Sequence, residues 1–366
     1  MRILAFETSC DETAAAVVEK RKGEEFVRVF SDVVASSSDM HVTTGGIVPE
    51  VAAREQVRSI IPVIEEALRE SRITNRELGA IAVTVGPGLI GSLLVGVETA
   101  KTLALVWDKP LIPVNHLIAH LYANWVGGSE KLKVKNEKLQ LKTQNYPTFP
   151  AIGMVVSGGH TDIVLMKSHT EIEWLGGTRD DAAGECFDKC ARILGLPYPG
   201  GPAVAEVAAK FKIKNSKLKI KLPRPLIDQD TLDLSFSGLK TALARMRNEP
   251  FDNAQGKQKI MSNELTSAMA YEVQEAITDV LVVKVMLAVR RFKPKSVLLG
   301  GGVAANERLR EKLEARVMNH KSSIKLHISP PKLCTDNAVS IGAWAAFHPT
   351  PASILSVRPN PSLAVV

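Results

Sequence analysis

Two histidines separated by three residues carry the sharpest chemical signal in this sequence. They are His116 and His120, and Asn115 stands directly before the first. Asn115 is a good N-cap, so the sequence predicts a helix beginning at His116 with both imidazoles on one face, as a metal site requires. Zinc peptidases of the HExxH type need a glutamate after the first histidine as general base, whereas this chain has Leu117 there. The spacing leaves a metal site or two ordinary histidines, and it disfavours a metallopeptidase.

Two glycine-rich turns suggest a second kind of chemistry. Residues 157–160 read Ser-Gly-Gly-His between two predicted strands, and residues 300–302 are glycines between a predicted strand and a predicted helix. Glycines let backbone N–H groups approach a phosphate without a Cβ in the way, and a helix N-terminus favours anions. Neither turn has the G-x-G-x-x-G order, and the Walker A lysine is absent. The turns predict either a nucleotide cleft, as in an ATPase or a sugar kinase, or two tight turns.

A run of acidic residues follows the first of these turns. Asp181, Glu185 and Asp188 share one face of a predicted helix by their spacing. Such a face could hold ribose hydroxyls or a cation. The alternative is a solvated acidic first turn, which the helix dipole favours.

The elements that must position these residues form two similar predicted halves. The first half has predicted strands over 3–6, 14–19, 26–35 and 80–85 and predicted helices over 49–71 and 90–106. The second half has predicted strands over 151–156, 161–166 and 296–299 and predicted helices over 182–194, 202–210, 262–292 and 304–316. Each half opens with a hairpin whose turn is polar and small. This order predicts a duplicated α/β unit with a cleft between the halves.

Composition limits the classes of protein that remain. The chain has 366 residues, of which 45% are hydrophobic and 23% charged, so it suits two domains and is neither disordered nor fibrous. No apolar run reaches the roughly 18 residues of a membrane span, and we expect no membrane partner. The net charge of +7 fits a polyanion such as RNA, or simply a basic surface. Four cysteines without CxxC spacing favour a reducing cytosol, with Cys186 and Cys190 as small buried thiols.

Two lysine-bearing stretches look inserted. They cover residues 127–146 and 210–221. Charged segments of this kind are usually solvated surface loops, and the alternative is an RNA-binding arm.

Many short blocks together resemble one protein family. The blocks are ETSCDET at 7–13, GGIVPE at 45–50, GPGL at 86–89, the two histidines, VSGGHT at 156–161, DDAAGE at 180–185, FDK at 187–189, YPGGP at 198–202, FSGLK at 236–240, GGGVAAN at 300–306 and CTDN at 334–337. In these blocks, which follow the family's order from residue 1 to about 347, the chain resembles the TsaD family of tRNA N6-adenosine threonylcarbamoyltransferases. It departs from the family in the two inserts and in a Pro-rich tail after Ala346.

The resemblance implies a fold and an activity. The fold would be α/β, with the two domains and the interdomain cleft of actin, Hsp70 and sugar kinases. We expect one domain at 1–120 plus 337–366 and the other at 121–336. The activity would transfer a threonylcarbamoyl group from threonylcarbamoyl-AMP to N6 of adenosine 37 in tRNAs that read ANN codons. A metallopeptidase and an ATPase or sugar kinase of the same fold are the alternatives.

The resemblance also implies site residues. One Fe²⁺ or Zn²⁺ ion per subunit would be held by His116, His120 and Asp336, with Cys334 as a rival ligand. The residues that would contact the substrate are Val155, Val156, Ser157, Gly158, Gly159, Asp188, Gly201 and Asn306.

The reaction suggests roles for some of these residues. The acceptor amine of adenine is a poor nucleophile, so the enzyme must position both substrates, stabilise charge on the carbonyl oxygen and take up a proton. Gly158 and Gly159 would offer N–H groups to the donor phosphate, and Asp188 would hold ribose hydroxyls. Asp11 or Glu12, at the tip of the first hairpin, would act as base or position the acceptor, unless they merely hold turn N–H groups.

The family also suggests partners and a location. Besides tRNA and threonylcarbamoyl-AMP, a TsaB-like paralogue and a TsaE-like small ATPase are expected as partners. The first residues read as a strand and not as a targeting segment, which favours the cytoplasm.

Overall fold

The computed structural model describes residues 1–37, 40, 46–127, 146–211, 218, 220–248, 263–320 and 323–366. Its first half is built on a five-stranded sheet in the order β3-β2-β1-β4-β5. The strands are β1 (Arg2–Glu7), β2 (Glu12–Glu19), β3 (Arg28–Ser36), β4 (Ala80–Gly86) and β5 (Leu111–Asn115). The first three strands are antiparallel, and β4 and β5 join parallel to β1.

The second half repeats this topology. Its sheet has the order β10-β9-β6-β7-β8, from strands β6 (Ala151–Val156), β7 (Thr161–Met166), β8 (Ile172–Gly177), β9 (Ser296–Gly300) and β10 (Lys325–Ile328). Read from its hairpin outward, the sheet has the same sequence of antiparallel and parallel pairings as the first. The predicted duplication of an α/β unit is therefore confirmed.

Helices cover the two sheets. In the first half they are α1 (Pro49–Ser71), α2 (Ile90–Val106) and α3 (His116–Tyr122), and the last helix α9 (Ala338–Phe347) returns to pack on β1 and β2. In the second half they are α4 (Ala183–Leu194), α5 (Gly200–Ala209), α6 (Ser237–Asn248), α7 (Asn263–Phe292) and α8 (Glu307–Met318). The short α3 contacts β5, β6 and β9, so it lies between the two sheets.

The structure corrects some predicted boundaries. Strands β5, β8 and β10 and helix α6 were not predicted, since they are short or carry polar residues that interrupt the period. The helix predicted over 304–316 begins at Glu307, because a short 3₁₀ turn precedes it. Most of the inserts at 127–146 and 210–221 lies outside the described residues. In the part of the chain that is described, no helix has the length and apolarity needed to cross a bilayer.

Candidate metal centre and substrate cleft

The two-histidine helix begins where the sequence predicts it. Strand β5 ends at Asn115, whose side-chain oxygen accepts a hydrogen bond of 2.9 Å from Leu117 N. The cap fixes the first turn of α3, and the spacing of four residues brings the His116 and His120 Nε2 atoms to 3.1 Å from each other. Both rings are buried, with 8% and 2% of these residues exposed.

Asp336 completes a group of three metal-type ligands. It lies just before α9, and its Oδ1 is 3.5 Å from the Nε2 atoms of both His116 and His120. Ligand atoms about 2.0–2.1 Å from a tetrahedral zinc ion lie roughly 3.3 Å from each other. The observed separations therefore fit one small cation, and two nitrogens with one carboxylate suit Fe²⁺ or Zn²⁺.

Glu7 lies behind His116 and was not singled out from the sequence. Its carboxylate accepts hydrogen bonds from Ser9 N at 2.5 Å, Thr84 Oγ1 at 2.6 Å and His116 Nδ1 at 2.9 Å. The signal that could have found it is a carboxylate ending the buried strand β1, two residues before the turn that faces the site.

The charges of this cluster are interdependent. Burial acts to lower the pKa of His116, but the carboxylates of Glu7 and Asp336 raise it to about 9. Burial acts to raise the pKa of Asp336, but His116 and His120 lower it to about 2. A cation entering the cluster therefore competes with a proton on His116.

Cys334, the rival third ligand, lies elsewhere. Its Sγ lies 3.2 Å from an Arg310 guanidinium nitrogen and within hydrogen-bond distance of the Ser329 carbonyl, and the side chain is packed in the core of the second half. Cys186 and Cys190 are buried with their Sγ atoms 4.0 Å from each other, as predicted for small buried thiols.

The first hairpin carries two acids beside the metal-type cluster. Asp11 is 8% exposed and lies in the turn, whereas Glu12 is the first residue of β2. Burial raises the pKa of Glu12 to about 10, and the charges of Asp336 and Asp11 raise it further. A protonated Glu12 donates a hydrogen bond and takes up no proton, so this arrangement favours positioning over the role of base.

The glycine turns meet at one edge of the second sheet. Because β6 and β9 are parallel, the turns that follow them lie at the same edge. Gly301 has φ +96°, and a Cβ there would lie 2.4 Å from the Val156 carbonyl oxygen. Gly184, in the first turn of α4, donates to the Ser157 carbonyl at 3.2 Å. The turn at 157–160 thus lies against the N-terminus of α4.

Gly158 and Gly159 face open space. A Cβ at either position would meet nothing within 4 Å, and neither glycine has a positive φ. Their N–H groups are therefore approachable from outside, whereas the side chains of Val155 and Val156 are fully buried, so these two residues could contact a ligand only through the backbone.

The remaining predicted substrate residues surround the same edge. Asp188 Oδ1 accepts from Gly200 N at 2.7 Å, which places Gly201 next to it at the start of α5. Asn306 caps α8 by accepting from Leu309 N at 3.0 Å, and its Nδ2 donates to Gln274 Oε1 at 3.1 Å.

The acidic segment is mostly engaged within the protein. Lys189 Nζ lies 2.6 Å from Asp181 Oδ1 and 2.8 Å from Glu185 Oε1. Asp181 precedes α4 and does not belong to its face. The predicted three-acid face for a cation is therefore wrong for Asp181 and Glu185, because an internal lysine neutralises them.

Comparison with known proteins identifies the family. The chain matches the TsaD family, described as tRNA N6-adenosine threonylcarbamoyltransferase, over residues 28–343. It is 45% identical over 361 residues to the protein of that name from Thermomicrobium roseum, covering 95% of this chain and 92% of that one. It is 43% identical over 365 residues to the Bacillus anthracis protein of the same name, covering 99% and 96%. The chain belongs to the TsaD family.

Solved structures show the fold of this TsaD protein. HypF from T. kodakarensis superposes with a TM-score of 0.56 at 14% identity, covering 95% of this chain and 48% of that one. A full-length HypF in the phosphate- and nucleotide-bound form superposes with a TM-score of 0.54 at 13% identity, covering 95% and 46%. The fold is the α/β fold of actin, Hsp70 and sugar kinases, as expected.

Family membership also settles the class of activity. As a TsaD enzyme the protein is a transferase that forms N6-threonylcarbamoyladenosine in tRNA. The metallopeptidase and the kinase or ATPase are not favoured. His116, His120 and Asp336 form the group in which the structure could hold a metal ion.

Proposed function

We propose that this enzyme transfers the threonylcarbamoyl group from threonylcarbamoyl-AMP to N6 of adenosine 37 in tRNAs that read ANN codons. The observation that carries the proposal is the convergence of His116, His120 and Asp336 beside the hairpin turn of the first half. This group lies close to the glycine turns of the second half, since α3 packs against β6 and β9. One cleft can therefore hold a metal-type cluster and an anion-binding edge.

The proposed cofactor is one Fe²⁺ or Zn²⁺ ion per chain, held by His116, His120 and Asp336. Such an ion supplies Lewis acidity and a template for substrate oxygens. The fit rests on the donor separations and on the choice of two nitrogens and one oxygen.

The donor nucleotide is assigned to the edge of the second sheet. There the N–H groups of Gly158 and Gly159 point into open space at the N-terminus of α4, a setting that favours phosphate. Asp188 keeps one carboxylate oxygen beyond its bond to Gly200 N and would accept from ribose hydroxyls, with Gly201 next to it. Asn306 contributes mainly by shaping the turn, because its side chain is already bonded on both sides.

The acceptor adenosine is assigned to the side of the first hairpin. Asp11 and Glu12 lie there, and the charge of Asp336 reaches Glu12. In this arrangement Glu12 orients the acceptor amine, while the anionic leaving group AMP or solvent takes up the proton.

Protein partners are also part of the proposal. The exposed apolar side chains of Val57 and Ile61 on α1 and of Ile90 and Leu94 on α2 form a surface suited to a TsaB-like paralogue, because exposed apolar patches mark interaction sites. A TsaE-like small ATPase is the second expected partner. The proposed location is the cytoplasm, where its tRNA substrate is found.

The domain division is kept as a proposal. It assigns 1–120 plus 337–366 to one domain and 121–336 to the other. The support is that each sheet belongs to one of these segments and that α9 packs on the first sheet.

The testing experiment is reconstituted transfer. Purified enzyme is incubated with threonylcarbamoyl-AMP and unmodified tRNA, with and without the two partners, and the modified nucleoside is measured. Peptide hydrolysis and ATP turnover in the absence of tRNA are assayed in parallel. Product only with donor and tRNA supports the proposal, whereas product without the donor, or none with every component present, contradicts it.

A further inference from the structure

Glu7 is a buried carboxylate that faces one ring nitrogen of a metal-type ligand. It is 1% exposed, and hydrogen bonds from Ser9 N and Thr84 Oγ1 fix it from the ends of two neighbouring elements. Its third bond, of 2.9 Å, joins Oε2 to His116 Nδ1, on the side of the ring opposite His120 and Asp336.

We propose that Glu7 is a positioning residue that holds His116 ready to bind a cation. A carboxylate only accepts hydrogen bonds, so Nδ1 of His116 must carry the proton. The lone pair of the neutral ring is then on Nε2, the atom directed at His120 and Asp336. The inference rests on the metal assignment made under the proposed function, and it adds how the ligand is oriented.

The two histidine ligands are unequal in this respect. His120 Nδ1 is buried and has no hydrogen-bond partner among the described residues. Only the ring of His116 is fixed by an anion, so the Glu7 contact sets the tautomer of one ligand, while packing in α3 orients the other.

A purely structural role for Glu7 is the competing explanation. Through Thr84 it links the carboxyl end of β1 to β4, and a buried acid with three hydrogen bonds can contribute to stability alone. The two explanations differ in what they predict for the metal-free protein and for the affinity of the ion.

The test replaces Glu7 by Gln and measures Zn²⁺ affinity by competition with a chelator. A glutamine amide can turn its NH₂ toward Nδ1 and so favour the tautomer whose Nε2 is protonated and cannot bind. Loss of such an outer partner weakens metal binding by roughly 10- to 100-fold. Long-range ¹⁵N NMR of the imidazoles, on metal-free protein above the pKa of His116, should show the change of tautomer.

Two controls separate position from stability. Glu19→Gln removes another largely buried carboxylate, which pairs with Arg2 and Arg21 at the opposite end of the hairpin, and should keep the Zn²⁺ affinity. Thr84→Val keeps the Glu7 carboxylate and loses one anchor, so its effect should be smaller than that of Glu7→Gln. Thermal unfolding with chelator present reports the stability of each metal-free variant.

The outcomes decide the proposal without any tRNA. Weaker Zn²⁺ binding with an altered His116 tautomer supports it. Unchanged affinity or an unchanged tautomer, with only lower stability, overturns it. If Glu7→Gln does not fold, Glu7→Asp, which keeps the charge but is one methylene shorter, is measured against the same criteria. Because transfer is not the readout, failure here is distinct from failure of the proposed function.

Discussion

Gly300 allows the end of β9 to lie directly against the metal-ligand helix. A Cβ at this position would lie 2.6 Å from the His120 carbonyl oxygen and 2.8 Å from its carbonyl carbon, whereas ordinary contacts begin at 3.4 Å. Gly300→Ala therefore requires the backbone at His120 to retreat by roughly 0.6–0.8 Å. Such overpacking destabilises proteins by about 1–3 kcal/mol.

The displacement is large for a metal site. Ligand distances hold within about 0.2 Å in a working site, and a shift several times larger at His120 spoils the match with Asp336. We expect Gly300→Ala to bind Zn²⁺ at least roughly tenfold more weakly, comparable to the loss of an outer hydrogen-bond partner. Chelator competition gives the affinity, and circular dichroism with thermal unfolding shows that the fold remains.

Gly302 supplies the matched control from the same turn. A Cβ there would meet nothing within 4 Å, and its φ is not positive. Gly302→Ala should therefore keep the Zn²⁺ affinity of the wild type. Equal affinities for the two variants, with Gly300→Ala folded, would refute the reasoning that this close approach positions His120.

Four further predictions follow from the same contacts. Asp336→Ala should lose bound metal and transfer while Cys334→Ser keeps both, since only Asp336 lies within reach of the two histidines; metal analysis decides, and retained metal in Asp336→Ala would be contrary. Gly158→Val should weaken donor binding in calorimetry without lowering stability, because the added side chain projects into open space; equal affinity would leave residues 157–160 a plain turn. Binding of unmodified tRNA should fall steeply with salt if the charge of +7 serves binding, and a flat dependence would remove that argument. Burial, with the charges of His348 and Lys20, lowers the pKa of His169 to about 4, below the value near 6.5 of an unfolded histidine, so its share of stability is present above pH 6.5 and lost toward pH 4; His169→Gln should flatten urea-unfolding stability across that range, and an unchanged slope would contradict it.

Local patterns predicted much of this molecule because they act locally. The N-cap at Asn115 and the spacing of His116 and His120 fix a helix and a shared face from six residues of sequence. The hairpins and long helices follow from their hydrophobic periods in the same way. The assignment of Asp336 came instead from the resemblance to a family, since no local rule joins residues more than 200 positions apart.

What the sequence missed depends on tertiary contact. Glu7 reads as the polar end of a strand until the structure places His116 Nδ1 at 2.9 Å. The carboxylates of Asp181 and Glu185 read as a possible cation face until Lys189 is found between them. Gly158 was expected to need a positive φ, yet it has an ordinary backbone conformation in a solvent-facing turn. Each difference concerns which partner lies opposite a residue, which periodicity does not encode.

The two halves of the duplicated fold use the same turn for opposite charges. The turn between β1 and β2 carries Asp11 and leads into Glu12, beside the two-histidine helix. The equivalent turn between β6 and β7 carries Gly158 and Gly159 and lies on the N-terminus of α4, where N–H groups and the helix dipole favour an anion. A transfer from an acyl phosphate to a neutral amine needs this separation, because the leaving phosphate gains charge while the amine must shed a proton. Gene duplication thus supplies one scaffold, and substitution of the two turns suits each half to one substrate.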